Sequence, residues 1–189
     1  MEIFIAKFHL HPIIDRFTIA LCTVGVLADL AGYGLPAVFG SESAFAAGLA
    51  SRLRNAAPVL LTPGALSAIL SRFTGESEAG RVWDSISPAA QQVLLSDERA
   101  RWLLSHAVLG TYLMYALLGL AAWRMLIEIS AGIRHTRLLY VTAAIIVLCA
   151  LLYQGKTGGE LVYDLGVGPK ATMTARPDQN VAAPSGAGS

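Results

Sequence analysis

The chain has 189 residues, of which 54% are hydrophobic and only 14% are charged. A soluble domain of this size carries about 25% charged residues spread over its surface, so this composition excludes that class. General disorder requires low hydrophobicity and high net charge, and the net charge here is +1. No Lys/Arg-rich run is present, which argues against nucleic acid as a partner. The composition indicates a small integral membrane protein in contact with the lipid bilayer.

Four segments almost free of charge follow one another along the chain. They cover residues 17–39, interrupted once by Asp29, and then residues 55–71, 102–123 and 138–155. A bilayer core of about 30 Å requires roughly 20 apolar residues as a helix. The second segment is short and contains Pro58 and Pro63, so we expect it to extend beyond its charged boundaries or to be kinked. The pattern predicts four membrane spans.

These spans predict an all-α fold, an up-down-up-down four-helix bundle within a single domain at 1–168. Residues 169–189, rich in Ala, Gly and Pro, are expected to form a flexible tail. Between the second and third spans, Ser87-Pro88 is a typical helix start and predicts a short interfacial helix over residues 89–95. No internal repeat is evident in the sequence.

Four spans place both termini on one side of the membrane, together with the connection between spans two and three. That side carries nine Lys/Arg, against five in the two connections opposite. The short turn from Arg124 to Arg137 nevertheless has the higher density of positive charge, and short loops weigh most in the positive-inside rule. We therefore expect the termini on the outer, periplasmic side of a bacterial inner membrane.

Two histidines lie near the starts of the first and third spans, which run parallel in such a bundle. They are His11 and His106, and inward-facing imidazoles from different helices can hold a haem iron. Gly110, four residues after His106, shares its helix face and would let a flat macrocycle approach the backbone. We name His11, His106 and Gly110 as candidate cofactor-binding residues, with the two histidines as ligands of a b-type haem iron.

The charged residues argue against this pairing. His11 precedes Arg16 by five residues, whereas His106 follows Arg101 by five. If the two arginines lie at one level, the imidazoles differ in depth by roughly 15 Å. The difference vanishes only if the first span begins near Ile3, so that Arg16 lies inside it. The alternative is that His106 is a hydrogen-bonded core residue and His11 a surface residue, and the sequence leaves both interpretations open.

Two further candidates adjoin His11. Asp15 follows it at i+4, a spacing that gives either a hydrogen bond or half of a metal site. Arg16 is expected to pair with an acid of the Asp97-Glu98 segment.

Asp29 is the one acid within a long apolar segment. Ionisable residues there are usually paired or functional, and Arg54 and Arg124 are its candidate partners. No second acid lies at mid-depth, which disfavours a proton-driven transporter, and no nucleophile with a base is apparent. We therefore expect no catalytic activity of the chain's own.

Both ends of the bundle carry recognisable motifs. The opening motif, residues 11–21, reads HPIIDRFTIAL, and the closing motif, residues 158–168, reads GGELVYDLGVG and includes Gly158, Gly159 and Tyr163. These motifs resemble those of an uncharacterised bacterial membrane family, domain of unknown function 2231, which Phe73-Thr74-Gly75 and His106 also suit. The chain departs from the family at two positions of the opening motif. It has Arg16 where the family has a second histidine, and Thr18 where the family has a proline.

The resemblance implies four membrane helices and a role near membrane electron transfer, since some relatives are joined to c-type cytochrome domains. It carries His11 and His106 over as candidate site residues. Two hypotheses follow: a membrane subunit in electron transfer that binds a b-type haem, or a cofactor-free structural subunit of a larger membrane or redox complex. A c-type cytochrome is the partner that the resemblance suggests.

Overall fold

The computed structural model describes residues 10–40, 42–85, 87–98 and 105–163. Within these residues the chain is helical, without strands, which confirms the all-α prediction. The predicted tail, 169–189, and the side chain of Tyr163 lie outside this description. The helices are α1 (Leu10–Phe39), α2 (Ala44–Ser85), α3 (Pro88–Ser96), α4 (His106–Ile129) and α5 (Arg137–Tyr163), with a 3₁₀ turn at Ala131–Thr136 between the last two.

The four long helices pack as a ring in chain order. α1 lies against α2, α2 against α4, α4 against α5, and α5 closes the ring against α1. We call the end where α1 and α4 begin the terminal end, and the end where they finish the turn end. The parallel helices α1 and α4 therefore lie diagonally across the bundle.

The contact between α1 and α2 is the most extensive in the ring, because glycines bring the two backbones together. A Cβ atom on Gly64 would lie 3.1 Å from the backbone nitrogen of Cys22. A Cβ atom on Gly32 would lie 3.0 Å from the carbonyl oxygen of Ala50. Any larger residue at these positions would force the two helices apart.

Buried apolar side chains from all four long helices fill the centre of the bundle. They form one cluster around Cys22 and Val26 of α1, Leu61 of α2, Leu117 of α4 and Ala144 of α5. This core separates the polar residues of the terminal end from those of the turn end.

Within the described residues, three helical segments are long and apolar enough to cross a membrane: Ala44–Asp84, His106–Ile129 and Ala131–Glu160. Four crossings were predicted, and the helix at the first of them, α1, is not among these three. With 42 residues, α2 is much longer than its predicted span. At about 1.5 Å per residue it reaches roughly 63 Å, about twice the bilayer core.

α2 also continues through Pro58 and Pro63, so the predicted extension is confirmed. The short helix predicted over residues 89–95 is confirmed as α3, at Pro88–Ser96. The side-chain amide of Gln91 donates to the carbonyl oxygen of Trp83 at 2.9 Å, which ties α3 to the end of α2.

Candidate functional site

At the turn end, the buried acid of α1 meets a buried base of α4. Arg124 Nε donates to Asp29 Oδ2 at 2.7 Å, and the hydroxyl of Tyr140 on α5 donates to the same oxygen at 2.7 Å. None of the three side chains is more than 1% exposed. Both hydrogen bonds reach the same carboxylate oxygen, and Asp29 Oδ1 has no hydrogen-bond partner among the described residues. The buried charges are therefore stabilised through Oδ2 and the guanidinium donors.

The remaining donors of Arg124 extend this ionic cluster. Its Nη1 donates to Glu128 Oε1 at 2.6 Å, and its Nη2 donates to the backbone oxygen of Arg54 on α2 at 2.7 Å. The side chain of Arg54 donates to the carbonyl oxygen of Gly32 on α1. Of the two predicted partners of Asp29, Arg124 is confirmed. Arg54 is wrong, because the guanidinium of Arg54 donates to the backbone carbonyl of Gly32 instead. The cluster joins all four long helices.

At the terminal end, His11 of α1 lies against α2. A Cβ atom on Gly75 would come within 2.7 Å of the imidazole Cε1, so glycine is required for this close approach. His11 Nδ1 lies 3.4 Å from the hydroxyl of Thr74. That hydroxyl donates to the carbonyl oxygen of Leu70 at 2.8 Å, so it accepts from the imidazole.

One turn further along α1, Asp15 Oδ1 accepts a hydrogen bond from the hydroxyl of Ser71 at 3.0 Å. Asp15 therefore joins α1 to α2. Arg16 is exposed, and no ion pair joins it to Asp97 or Glu98 within the described residues. The predicted pairing of Arg16 is wrong, because its side chain lies on the outer face of α1.

His106 lies against α5 in a closed set of hydrogen bonds. Its Nδ1 lies 3.0 Å from the hydroxyl of Thr157, which donates to the carbonyl oxygen of Gln154 at 3.0 Å and so accepts from the imidazole. The Gln154 amide nitrogen donates to His106 Nε2 and to the His106 carbonyl oxygen, both at 3.0 Å. This network assigns a neutral imidazole with its proton on Nδ1 and both nitrogens engaged.

The candidate glycines differ in what they touch. A Cβ atom on Gly110 would lie 3.0 Å from the Gln154 amide nitrogen, so that amide occupies the space assigned to a macrocycle. A Cβ atom on Gly158 would lie 2.9 Å from His106 Cε1, whereas one on Gly159 would meet nothing within 4 Å. The first glycine of the closing motif therefore makes room for His106.

The structure brings the two histidines to the same end of the bundle at related heights. Both Asp15 and His11 lie close enough to act electrostatically on His106. The inferred difference in depth took Arg16 as the boundary of the first span. Arg16 instead lies within α1 with its side chain exposed and marks no boundary, whereas Arg101 lies outside the described residues. Among the described residues, no three His, Cys, Asp or Glu side chains meet in a group that could hold a metal ion.

Sequence reasoning missed Gln154 and Thr157, and it named Thr74 only as part of a family motif, although all three make hydrogen bonds with the histidines. The signal available was a repeated dipeptide: Thr74-Gly75 near the end of α2 and Thr157-Gly158 near the end of α5. Each provides a hydroxyl for an imidazole nitrogen and a bare backbone for the imidazole ring.

The fold and these polar ends define an all-α membrane protein whose helices are joined by buried polar contacts. The chain belongs to the family described as predicted membrane protein (DUF2231), whose model matches residues 7–171. No curated protein and no solved structure matches the chain significantly.

Proposed function

We propose that this protein is a non-catalytic subunit of a larger complex in the bacterial inner membrane, in an electron-transfer setting, and that it needs no cofactor of its own. The observation that carries this proposal is that its buried polar side chains serve to join helices. Asp29, Arg124 and Tyr140 do so at the turn end, and His106 with Gln154 does so at the terminal end.

The surface of the bundle supports a membrane subunit. Large apolar side chains are exposed on every long helix, among them Phe17 (56%), Phe45 (80%), Tyr112 (69%) and Leu138 (79%). In water such an apolar surface would promote aggregation, whereas in a membrane it is covered by lipid tails or by partner helices. α1 is the fourth crossing in this proposal, because Arg124 neutralises its one mid-helix acid.

Binding of a b-type haem through His11 and His106 is the second candidate. It is favoured by the threonine that holds Nδ1 of each imidazole, since such a bond orients a metal-ligating histidine. The residues as they stand do not fit the group, however. Gln154 occupies both the Nε2 atom of His106 and the space over Gly110.

A visible spectrum separates the two candidates. The protein is purified from cells supplied with haem precursor, and oxidised and dithionite-reduced spectra are compared. A cofactor-free subunit gives no Soret band. A reduced low-spin spectrum that disappears in both His11→Ala and His106→Ala would replace this proposal with the haem candidate.

Membership of a larger complex is tested in the native membrane. Mild-detergent extracts are separated on native gels, blotted for the protein and stained for covalent haem. We expect the protein to migrate in a band that also contains a c-type cytochrome, the partner implied by the resemblance. Migration solely at the size of one chain would contradict the proposal.

A further inference from the structure

The two histidines make the same atomic contacts in two places. In each, Nδ1 meets the hydroxyl of a threonine, and Cε1 packs on the glycine that follows it. Each threonine hydroxyl also lies near the carbonyl oxygen three residues earlier, at 3.2 Å in α2 and 3.0 Å in α5. In α2 the single proton is shared with the closer carbonyl oxygen of Leu70, at 2.8 Å. The equivalent residues are His11 and His106, Thr74 and Thr157, and Gly75 and Gly158.

The same equivalence extends along the helices. A shift of 95 residues, which places His11 on His106, matches all six buried residues of α4 to buried residues of α1. A shift of 83 residues, which places Thr74 on Thr157, matches the five buried residues of α5 up to residue 160 to buried residues of α2. The matched pairs are Thr18/Leu113, Cys22/Leu117, Gly25/Leu120, Val26/Ala121, Asp29/Arg124 and Gly32/Ile127, then Ala57/Tyr140, Leu61/Ala144, Ala68/Leu151, Ser71/Gln154 and Thr74/Thr157.

Any two amphipathic helices can be aligned so that some buried positions agree, because both follow a 3.6-residue period. Here the registers are set independently by the histidine contacts, and the burial patterns then agree. The ring order is also preserved when α1 is exchanged with α4 and α2 with α5. Asp29 and Arg124, which occupy equivalent positions, touch each other across the diagonal, as residues beside a two-fold axis do.

The two copies fill the space beside the histidine in different ways. In the first copy, Asp15 of α1 reaches Ser71 of α2. The equivalent residues in the second copy are Gly110 of α4 and Gln154 of α5, and the long side chain now comes from the opposite helix. Gln154 closes off Nε2 of His106, whereas His11 Nε2 makes no hydrogen bond to any described residue.

We propose that residues 10–85 and 105–163 are two copies of one helical hairpin, each carrying the same imidazole site. The site is open at His11 and closed by Gln154 at His106. Because His11 donates through Nδ1 to Thr74, its Nε2 is an acceptor, and Asp15 lies one turn away. The open copy therefore suits a cationic or hydrogen-bond-donating group of a ligand or partner. This inference does not depend on the proposed function.

An exchange of the compensating pair tests the equivalence in the full-length chain. Gly110→Asp alone places a side chain on the Gln154 amide, and Gln154→Ser alone leaves a void beside His106. The double variant Gly110→Asp/Gln154→Ser reproduces the arrangement of the first copy. We expect it to regain more than half of the loss in thermal midpoint shown by the worse single variant. Additive losses would overturn the equivalence of the two copies.

Chemical modification tests which copy is open. Diethyl pyrocarbonate acylates an unprotonated imidazole nitrogen, and modified peptides are mapped with fragment ions that separate His11 from His9. We expect His11 to react several-fold faster than His106 in the wild-type chain. His106 also lines a groove of about 340 Å³ together with Tyr112, a surface that lipid covers, so the comparison with the double variant separates the effect of the Gln154 bond from that of access. His135, which is exposed, serves as the reactive control.

In the double variant, His106 loses its Gln154 bond and is expected to react at a rate close to that of His11. A protected His106 in the folded double variant, or equal reactivity of the two histidines in the wild type, would overturn the open and closed assignment. Neither result depends on whether a cytochrome or a haem is bound.

Discussion

The two glycines of the closing motif differ in the space that a Cβ atom would have. Gly158 lies under His106, whereas the adjacent Gly159 faces open space. We expect Gly158→Ala to lower the free energy of unfolding by about 1–3 kcal/mol, since the new methyl group would overlap the imidazole. Gly159→Ala is the matched control and should be neutral or stabilising by up to about 1 kcal/mol, because alanine favours helix. Thermal unfolding in detergent compares the two, and equal effects would contradict the packing described.

Tyr140 tests the ionic cluster without removing a charge. Tyr140→Phe deletes the hydrogen bond to Asp29 and leaves the ring, whose edge packs on Trp123 with centroids 5.9 Å apart. Hydrogen bonds to charged groups contribute about 1.5–3 kcal/mol, so we expect a loss of that order in the free energy of unfolding. Tyr112→Phe, at an exposed position, should change it little. Equal stability of the two variants would show that Tyr140 does not support the buried carboxylate.

For single residues, the sequence predicted that a polar side chain would have a hydrogen-bond or ion-pair partner better than it predicted which residue that partner is. Asp29 was expected to be paired because an unpaired acid in an apolar segment is costly, and Arg124 was one of two candidates of suitable charge and position. The hydrogen bonds of Gln154 were not predictable, because an uncharged amide in an apolar helix carries no periodic or electrostatic signal. Arg16 was misassigned because an exposed arginine can extend along a helix and therefore does not fix its depth.

Among the helices, the α1–α2 hairpin is packed more closely than the α4–α5 hairpin. Gly25, Gly32 and Gly64 bring the first pair together. Their equivalents in the second copy are Leu120, Ile127 and Val147, and the contact between α4 and α5 is less extensive than that between α1 and α2. The two copies have therefore diverged in spacing while keeping their buried faces.

Gly64 offers a direct test of this close packing. We expect Gly64→Ala to destabilise the protein by about 1–3 kcal/mol, because its methyl group would meet the backbone of Cys22 and the helices would have to move apart. Gly48, on the same helix with nothing within 4 Å of its Cβ position, provides the control. Gly48→Ala should be neutral or slightly stabilising. If both variants unfold at the same temperature, close contact at Gly64 does not hold the hairpin together.

Charge-free segments predicted where helices occur but not where they end. The second segment covered 55–71, yet α2 runs from Ala44 to Ser85, because helix formation continues where the chain leaves the apolar environment. Arg54 and Arg72 bound the apolar part, and neither residue breaks a helix. The short segment with Pro58 and Pro63 was expected to extend beyond its boundaries or to be kinked, and α2 does extend beyond them.

For the whole molecule, the internal repeat leaves only a short trace in the sequence, namely one histidine and one Thr-Gly dipeptide in each copy. Away from these residues, equivalent positions retain burial and hydrogen-bonding geometry rather than residue identity. Asp29 stands opposite Arg124, and Asp15 with Ser71 corresponds to Gly110 with Gln154. Exchange of an acid for a base is favourable where equivalent residues meet, since two acids there would repel each other. Sequence comparison registers such an exchange as a mismatch, although it makes the two copies complementary.

For the orientation of the whole molecule in the membrane, we propose that the turn end faces the cytoplasm. The turn end carries exposed arginines: Arg52 in the first part of α2, Arg134 in the turn before α5 and Arg137 at the start of α5. The positive-inside rule places positively charged residues at the ends of spans in the cytoplasm. The terminal end, with both histidine sites and α3, would then face the periplasm. This is the side from which a periplasmic c-type cytochrome could reach it.

Single cysteines report the orientation directly. In a chain whose exposed native thiol is removed by Cys149→Ser, Ala89→Cys places a thiol on α3 and Gly132→Cys places one on the turn between α4 and α5. The remaining Cys22 is buried. With a membrane-impermeant maleimide on intact cells, we expect Ala89→Cys to be labelled and Gly132→Cys to be labelled only after the membrane is permeabilised. The reverse pattern would place the terminal end in the cytoplasm, and a periplasmic cytochrome could then not contact the histidine sites.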